Sequence, residues 1–382
     1  MANIGASIGL CMIVKDEAHV IRRCFDSVLP IVDYILVVDT GSTDGTQEVI
    51  QTYLQEKNIA GEVIEEPWRN FAYNRTFALK ALRSKQLVDY SLMIDADNVI
   101  AFDPEFDAQT FKRSLTLDVY EMQFQTHDAF YWLPRLISHR LDVCYKGVLH
   151  EYLEYSQDCS REFIQGILNR QIQDSNRNRN PRKYFDDAAV LETALKIETD
   201  PFLISRYMFY LAQSYRDCQS QPAKALITYQ EHAKQEGWIE ERYISLYESA
   251  KLKIQLGFSS GEIIQTYMDA YELLPSRAEA LHGALRYCRE NRKYHQGYLI
   301  GNLAIAISFP VNGLFLEKWI YDYGILDEFA IVAEWSGHNK EAFDACLQIL
   351  AEQKIPTHEL PRILKNIQLI LDKLGVSVPL FQ

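Results

Sequence analysis

No run of about 20 apolar residues occurs anywhere in the chain, so no stretch is long enough to cross a bilayer as a helix. Nor is there an excess of positive charge. Against 52 Asp and Glu stand 39 Lys and Arg, a formal net charge of −13. That balance disfavours tight nonspecific binding to nucleic acid or anionic lipid, since phosphate contacts need clustered cations. The seven cysteines are scattered, odd in number and form no Cys-x-x-Cys pair. A zinc knuckle and a disulfide framework are both disfavoured, and the expected compartment is the cytoplasm. The apolar start, Ile8-Gly-Leu-Cys-Met-Ile-Val14, lacks a basic flank and stops at Lys15-Asp16-Glu17; it reads as a buried strand, not a secretion signal. The same Lys15-Asp16-Glu17 stands where a nucleotidyltransferase would place a glycine-rich, basic phosphate loop, which disfavours that chemistry.

What is present is enough apolar material, 48% over 382 residues, for two or three packed domains. Up to residue 100, short apolar runs alternate with helix-like stretches. Strands are expected at Ile8–Val14, Tyr34–Val38, Glu62–Glu65 and Ser91–Ile94, with helices at His19–Leu29, Thr43–Glu56 and Ala72–Arg83. This alternation implies a parallel sheet with crossover helices. Ligands of such sheets sit beyond the carboxyl ends of the strands. Here those ends carry Asp16 and Glu17, Asp39, and Asp95-Ala96-Asp97. Two carboxylates at one strand tip are suited to holding a hard divalent cation against a diphosphate.

From Tyr120 to Tyr155 the pattern becomes strand-rich and aromatic, an expected extension of the sheet. A polar, basic stretch follows, Asn169–Lys183, read as a linker or mobile loop in which Pro181 discourages helix before it. From residue 185 onward the chain reads as helix after helix, broken at Asp200-Pro201, Gln221-Pro222, Gly257, Leu274-Pro275 and Phe309-Pro310. Helix pairs recurring at roughly 35 residues match the tetratricopeptide period. An irregular bundle shares the same hydrophobic period. The expected organisation is an α/β domain over residues 1–168, a basic linker over 169–184 and a helical domain over 185–382.

Met12-Ile-Val-Lys-Asp-Glu17, Val38-Asp-Thr-Gly-Ser-Thr-Asp-Gly-Thr46 and Ile94-Asp-Ala-Asp97 together resemble the nucleotide-binding half of family 2 glycosyltransferases. Trp68-Arg-Asn-Phe-Ala-Tyr-Asn-Arg75 and Gly147-Val-Leu-His-Glu-Tyr152 extend the likeness. So does Phe209-Tyr-Leu-Ala-Gln-Ser-Tyr-Arg-Asp217 with Gly237-Trp-Ile-Glu-Glu241, to about residue 250. The branch it most resembles is bacterial, carries a helical tetratricopeptide extension and is related to bacteriocin peptide S-glycosyltransferases. The resemblance implies a GT-A fold, a Rossmann-like α/β nucleotide-sugar-binding domain followed by an all-α tetratricopeptide-like domain. It also implies inverting transfer of a sugar, a hexose by expectation, from a nucleoside diphosphate donor such as a UDP-sugar, with Mn²⁺ or Mg²⁺ as cofactor.

Carried onto this sequence, the resemblance makes Asp97 a direct metal ligand, Asp95 a ribose or water-mediated metal contact, and His150 the third metal-site residue. Val14, Asp16, Glu17, Asp39, Asn74, Arg75, Ala96 and Lys183 complete the expected donor site. Arg75 is placed to fork onto phosphate or a neighbouring aspartate. For the base that takes the acceptor proton, Glu151 and Asp128 are rival candidates. Asp97 is expected to be exposed at its strand tip, and Trp68 and Trp132 either to stack on sugars or, by preference, to fill the core. The glycines usual before Lys183 are missing. The acceptor is expected to be a peptide, a protein or a glycan, and the helical half offers a surface for recruiting it or for self-association. A noncatalytic adaptor, a decayed GT-A domain bearing a protein-binding helical array, is the alternative.

Overall fold

The computed structural model describes residues 5–126, 129–156 and 158–376. It divides into two compact units, Met1–Ile197 and Glu198–Gln382.

In the first unit, β1 (Ile8–Val14), α1 (Ile21–Val28), β2 (Tyr34–Asp39), α2 (Thr46–Lys57), β3 (Ala60–Glu65), α3 (Phe71–Ser84) and β4 (Tyr90–Met93) follow the expected alternation within a few residues at each end. Then come β5 (Asn98–Phe102), α4 (Ala108–Ser114), β6 (Val119–Thr126), β7 (Ala129–Ser138), β8 (Cys144–Lys146), β9 (Tyr152–Glu154), β10 (Arg161–Gln171), α5 (Asn176–Arg179) and α6 (Lys183–Leu195). One eight-stranded sheet runs in the order β3-β2-β1-β4-β7-β6-β10-β5, and β8 pairs with β9 apart from it. β1 lies parallel to both β2 and β4, and β2 parallel to β3. The β7 strand then joins β4 antiparallel.

Both faces of the parallel part are covered, which is why its strands are nearly continuous apolar runs. Along β1, Leu10 and Met12 enter the core under α1 and α2, while Cys11 enters the core under α3. Ile35 and Val37 on β2 share the first core, and Leu36 and Val38 the second. β2 and β4 flank β1 on opposite sides, so the chain leaves the sheet in opposite directions beside it. A crevice opens at that switch point, above the carboxyl ends of β1 and β4.

The division after Ile197 corrects the expected boundaries at residues 168 and 184. β10 continues to Gln171, and the stretch after it folds as part of the first unit. Its polar side chains have partners there, among them Arg23 with Asp174 and Arg177 with Asp187. A short helix, α5, forms before Pro181 after all, but it ends at Arg179 and Asn180, the residue preceding the proline, is extended.

The second unit comprises α7 (Pro201–Asp217), α8 (Pro222–His232), α9 (Ile239–Gln255), α10 (Ser260–Leu273), α11 (Glu279–Glu290), α12 (Tyr294–Ala304), α13 (Ile325–Trp335), α14 (Asn339–Glu352) and α15 (Leu360–Lys373). Each helix packs on the next, and α9, α11, α13 and α15 also touch in series. That every-other-helix contact is the stacking of tetratricopeptide-like hairpins, not of an irregular bundle. Asp200 caps α7 by accepting from the Phe202 N–H at 2.9 Å, with Pro201 at the first position of the helix. Close approach fixes small residues between hairpins: a Cβ at Gly301 would lie 2.5 Å from the Phe329 ring. Buried Arg277 ties several elements together through Glu279, Glu240 and the Leu314 carbonyl.

Candidate functional site

A cavity of about 820 Å³ occupies the crevice of the first unit. That volume suits a ligand the size of a nucleotide sugar. Val14, Lys15 and Glu17 line it from the end of β1, Thr40 from β2, and Asp95, Ala96 and Asp97 from β4. Trp68, Phe71 and Arg75 close one side, His150 and Glu151 another, and Asn176–Asn180 with Lys183 and Asp187 lie across it.

Arg75 organises the acids. Buried in α3, its Nε donates to Glu151 Oε1 at 2.5 Å and its Nη2 to Asp95 Oδ1 at 2.6 Å, while Nη1 is buried with no hydrogen-bond partner among the described residues. Burial by itself would raise the Asp95 carboxyl, but Arg75 outweighs it and holds Asp95 below the ordinary carboxylate range. Asp97 has no such cation. Burial first, and then the negative charge of Asp95, push its carboxyl upward. The Asn178 amide Nδ2 donates to Asp97 Oδ2 at 3.1 Å.

Glu17 is likewise crowded. Burial drives its carboxyl up to about 8, against the opposing hydrogen bond from the Asn176 N–H at 3.2 Å, with Asp97, Asp44 and Asp174 adding to the rise. At neutral pH such a group carries a proton and can donate as well as accept.

The loop after β1 is stitched to the loop after β2. Asp16 sits in the left-handed region (φ 56°), its N–H donates to Ser42 Oγ at 2.8 Å, and its Oδ1 accepts from the Thr43 N–H at 2.7 Å. The Glu17 N–H donates to Thr46 Oγ1 and the Ala18 N–H to Asp44 Oδ2. Asp39 shapes the same turn, its Oδ1 accepting from the Gly41 and Ser42 N–H groups at 2.7 Å each. The other oxygen, Oδ2, is buried without a partner among the described residues. An orphaned acceptor of this kind is a rarity in folded proteins and needs a reason.

Several expectations are corrected. Asp97 is 2% exposed, not open at a strand tip, because the chain after β10 packs over it. Asn74 does not reach the crevice: it is fully buried, its Oδ1 accepting from the Arg69 N–H and its Nδ2 donating to the Pro67 carbonyl. It pins the loop that carries Trp68. Trp68 is 43% exposed and lines the cavity, not the core, with its ring edge-on to Phe71 at 4.8 Å. Asp16, in the loop after β1, and Asp39, the last residue of β2, do not line the cavity. Asp128 lies outside the described residues.

The structure brings together Val14, Glu17, Arg75, Asp95, Ala96, Asp97, His150, Glu151 and Lys183. His150 is exposed and takes the left-handed conformation (φ 52°). Lys183 Nζ donates to Asn178 Oδ1 at 2.8 Å. Sequence reasoning did not single out Asn176 and Asn178, which lie across the opening. Their signal was the low-complexity Asn/Arg run, whose place over the strand ends depends on pairing with α1 and β4 residues far away in the chain.

Among the described residues no three His, Cys, Asp or Glu side chains stand together as a ready cage for a metal ion. The donor set nevertheless fits a hard cation of the kind that binds one or two carboxylates and completes its shell with water and phosphate oxygens. Asp97, crowded by negative charge and met only by the neutral donors Asn178 and Ser175, is the carboxylate such an ion would relieve. Asp95 is already satisfied by Arg75.

Comparison with known proteins agrees with the placement of these motifs. Residues 10–106 match the family described as glycosyl transferase family 2. A tetratricopeptide repeat-containing protein of Synechococcus elongatus is 30% identical over 156 residues, 40% of this chain and 36% of that protein. An uncharacterized glycosyltransferase of Rickettsia felis is 30% identical over 135 residues, 35% of this chain and 41% of its own length. The chain thus spans about two fifths of the length of these curated relatives. Among solved structures, S. aureus TarS 1–349 in complex with UDP-GlcNAc aligns at 12% identity and a TM-score of 0.35, over 70% of this chain and 88% of that one. The segment that builds β1 to β4 and carries Glu17, Asp39, Arg75, Asp95 and Asp97 is thus the part of the chain that is similar to glycosyl transferase family 2.

Proposed function

We propose that the first unit transfers a sugar, a hexose by expectation, from a nucleoside diphosphate donor, a UDP-sugar in the first instance, to a peptide, protein or glycan acceptor. The observation that carries this reading is the gathering of Glu17, Asp95, Asp97 and Glu151 with Lys15, Arg179 and Lys183 around one cavity at the switch point of the family 2 domain. Acids alone would repel a diphosphate. Lys15, Arg179 and Lys183 would supply the attraction, and Asp97 would hold the Mn²⁺ or Mg²⁺ that makes the acids compatible with the phosphates, with His150 as the further metal-site residue. The ion would neutralise charge developing on the leaving diphosphate.

This chain's own residues do the rest. Asp39 Oδ2, the orphaned acceptor at the tip of β2, suits the imide N–H of a uracil ring. Arg75 holds Asp95 in a fixed orientation for the ribose and holds Glu151 in line with it. In an inverting transfer the acceptor heteroatom forms its bond to the anomeric carbon as the bond to the diphosphate breaks. The acceptor proton passes to a carboxylate on the face opposite the leaving group. Glu151 would take that proton, and Asp128 is its rival. The second unit, with its stacked hairpins, would present the acceptor or mediate self-association.

Metal-dependent hydrolysis of nucleotide sugars, measured without acceptor across UDP, TDP and GDP donors, tests the reading. Release of nucleoside diphosphate that requires Mn²⁺ or Mg²⁺ and is lost in Asp97→Ala supports it. The noncatalytic adaptor predicts no turnover of any donor.

A further inference from the structure

A second cavity, of about 600 Å³, lies at the opposite end of the sheet from the first. Strand β4 runs from one to the other: Tyr90, its first residue, lines this cavity, and Asp95-Ala96-Asp97 follow its last. Val88, Tyr90 and Leu115 are buried and give it an apolar floor. Half-buried Arg83, from the last turn of α3, and exposed Arg140, just after β7, bring two guanidiniums to the same space. Its walls are held in place by bonds to the backbone. Tyr90 Oη donates to the Leu117 carbonyl at 2.8 Å and Arg140 Nη2 to the Thr116 carbonyl at 2.6 Å, so both hang on one turn. The His139 N–H donates to the Asp89 carbonyl at 2.8 Å, and His139 Nε2 lies 2.8 Å from the Oγ of buried Ser91.

The acids nearby are already engaged. Asp89 Oδ2 accepts from the Ser7 N–H at 2.8 Å and from Ser7 Oγ at 2.7 Å. Asp118 Oδ2 accepts from the Ser160 N–H at 3.0 Å and from Ser160 Oγ at 2.7 Å, and its Oδ1 stands 3.7 Å from Arg140 Nη2. Arg83 meets Asp142 at 3.3 Å, but that carboxylate is 94% exposed, where an ion pair contributes little. Two cations therefore line the cavity against the single carboxylate of Asp89, in a chain whose formal net charge is −13. Their field reaches the imidazole between them and the sheet: burial first, and then Arg83, lower His139 below its ordinary value and leave it neutral at pH 7.

An apolar floor with guanidiniums beside it matches an amphipathic anion. The fork of an arginine fits the oxygens of a phosphate or carboxylate, and the floor takes an organic body. We propose that this cavity is a second ligand site, for a small organic phosphate or carboxylate whose anionic group is held by Arg83 and Arg140 and whose body covers Val88, Tyr90 and Leu115. The Gln86 side-chain amide, which lines the cavity and makes no hydrogen bond among the described residues, supplies a further donor. The assignment is independent of what the first cavity binds.

Phenyl phosphate and benzoate carry the two anionic groups on one ring and serve as probes. In saturation-transfer NMR on the full chain without divalent ion, at least one should bind with a Kd of roughly 0.1–10 mM, as expected for a ligand of about ten heavy atoms. Inorganic phosphate, which has no body for the floor, should compete only at concentrations about tenfold higher or more. Arg83→Gln breaks only the exposed pair with Asp142 and should weaken binding about tenfold, as should Arg140→Gln. Bound probe should slow hydrogen–deuterium exchange at residues 86–90 and 138–140. No binding of either probe, affinity unchanged in both arginine variants, or no protection of those two segments overturns the site. Competition by inorganic phosphate at equal concentration also overturns it, as the mark of an adventitious ion only.

Discussion

Arg75 Nη2 donates to Asp95 Oδ1 at 2.6 Å, so the first aspartate of Asp95-Ala96-Asp97 is already committed to a buried guanidinium while the second is not. The two residues of the triplet are therefore electrostatically unlike, although the sequence writes them identically.

Removing Arg75 leaves two half-buried acids without the buried cation that pairs them. Arg75→Met should destabilise the first unit by roughly 3–5 kcal/mol, the usual effect of breaking a buried ion pair from one side. Equilibrium urea unfolding checks this. A loss under about 1 kcal/mol would show that water or rearrangement replaces the guanidinium.

Asp97 should behave in the opposite way. Its carboxyl is pushed up by burial and by Asp95, so ionised Asp97 is unfavourable in the metal-free fold. Asp97→Asn should raise the melting temperature of the metal-free protein while removing divalent-dependent nucleotide binding, the trade of stability against function expected at a binding site. A lower melting temperature in thermal scans at pH 7 would contradict the account of the crowding.

How much of this was legible beforehand follows from what each residue depends on. Strands β1 to β4 were readable because each is a short apolar run that needs only its own side chains to identify it, and the strand-end acids came with them. The burial of Asp97 was not readable. It is set by Asn178, 81 residues later, inside a stretch whose polar composition looked like a linker. Trp68 misled for a related reason: an aromatic residue usually means core, but the loop after β3 stands above the strand ends, where its neighbours are the cavity and Phe71. Asn74 and Arg75 are adjacent in a motif and differ in duty. The helix turns by about 100° per residue, so one faces the backbone of its own loop and the other the crevice.

In the helical unit, His232 is buried between Ser205, whose Oγ lies 3.1 Å from Nε2, and Ser245, whose Oγ lies 2.8 Å from Nδ1. Burial lowers its folded pKa to about 4. A depressed folded value means the proton is favoured in the unfolded chain, so the stabilisation is full above the unfolded value of about 6.5 and is lost as pH falls from there toward 4. The loss is on the order of 3 kcal/mol. Urea midpoints of the unit's unfolding transition between pH 7 and 4 should fall in the wild type and fall less steeply in His232→Asn. Parallel slopes would assign the acid sensitivity elsewhere.

Arg277 offers a test of the hairpin stack itself. It is 1% exposed and bonds Glu279, Glu240 and the Leu314 carbonyl. Arg277→Met leaves buried Glu279 and half-buried Glu240 without their cation. It should lower stability by roughly 3–5 kcal/mol, whereas the triple change with Glu240→Gln and Glu279→Gln should recover part of it. Circular dichroism at 222 nm during urea titration reads both. Equal losses in the single and triple variants would mean that Arg277 acts through its packing alone.

The central claim is that the cavity above β1 and β4 takes a nucleoside diphosphate sugar. Its most direct test is calorimetric titration of UDP-, TDP- and GDP-sugars into the full chain, with and without Mn²⁺, alongside Asp97→Ala. The account predicts saturable binding of at least one donor, in the range of roughly 1 μM to 1 mM usual for enzyme substrates, that depends on the ion and disappears in the variant. Absence of binding for every donor, or binding that survives unchanged in Asp97→Ala, would contradict it.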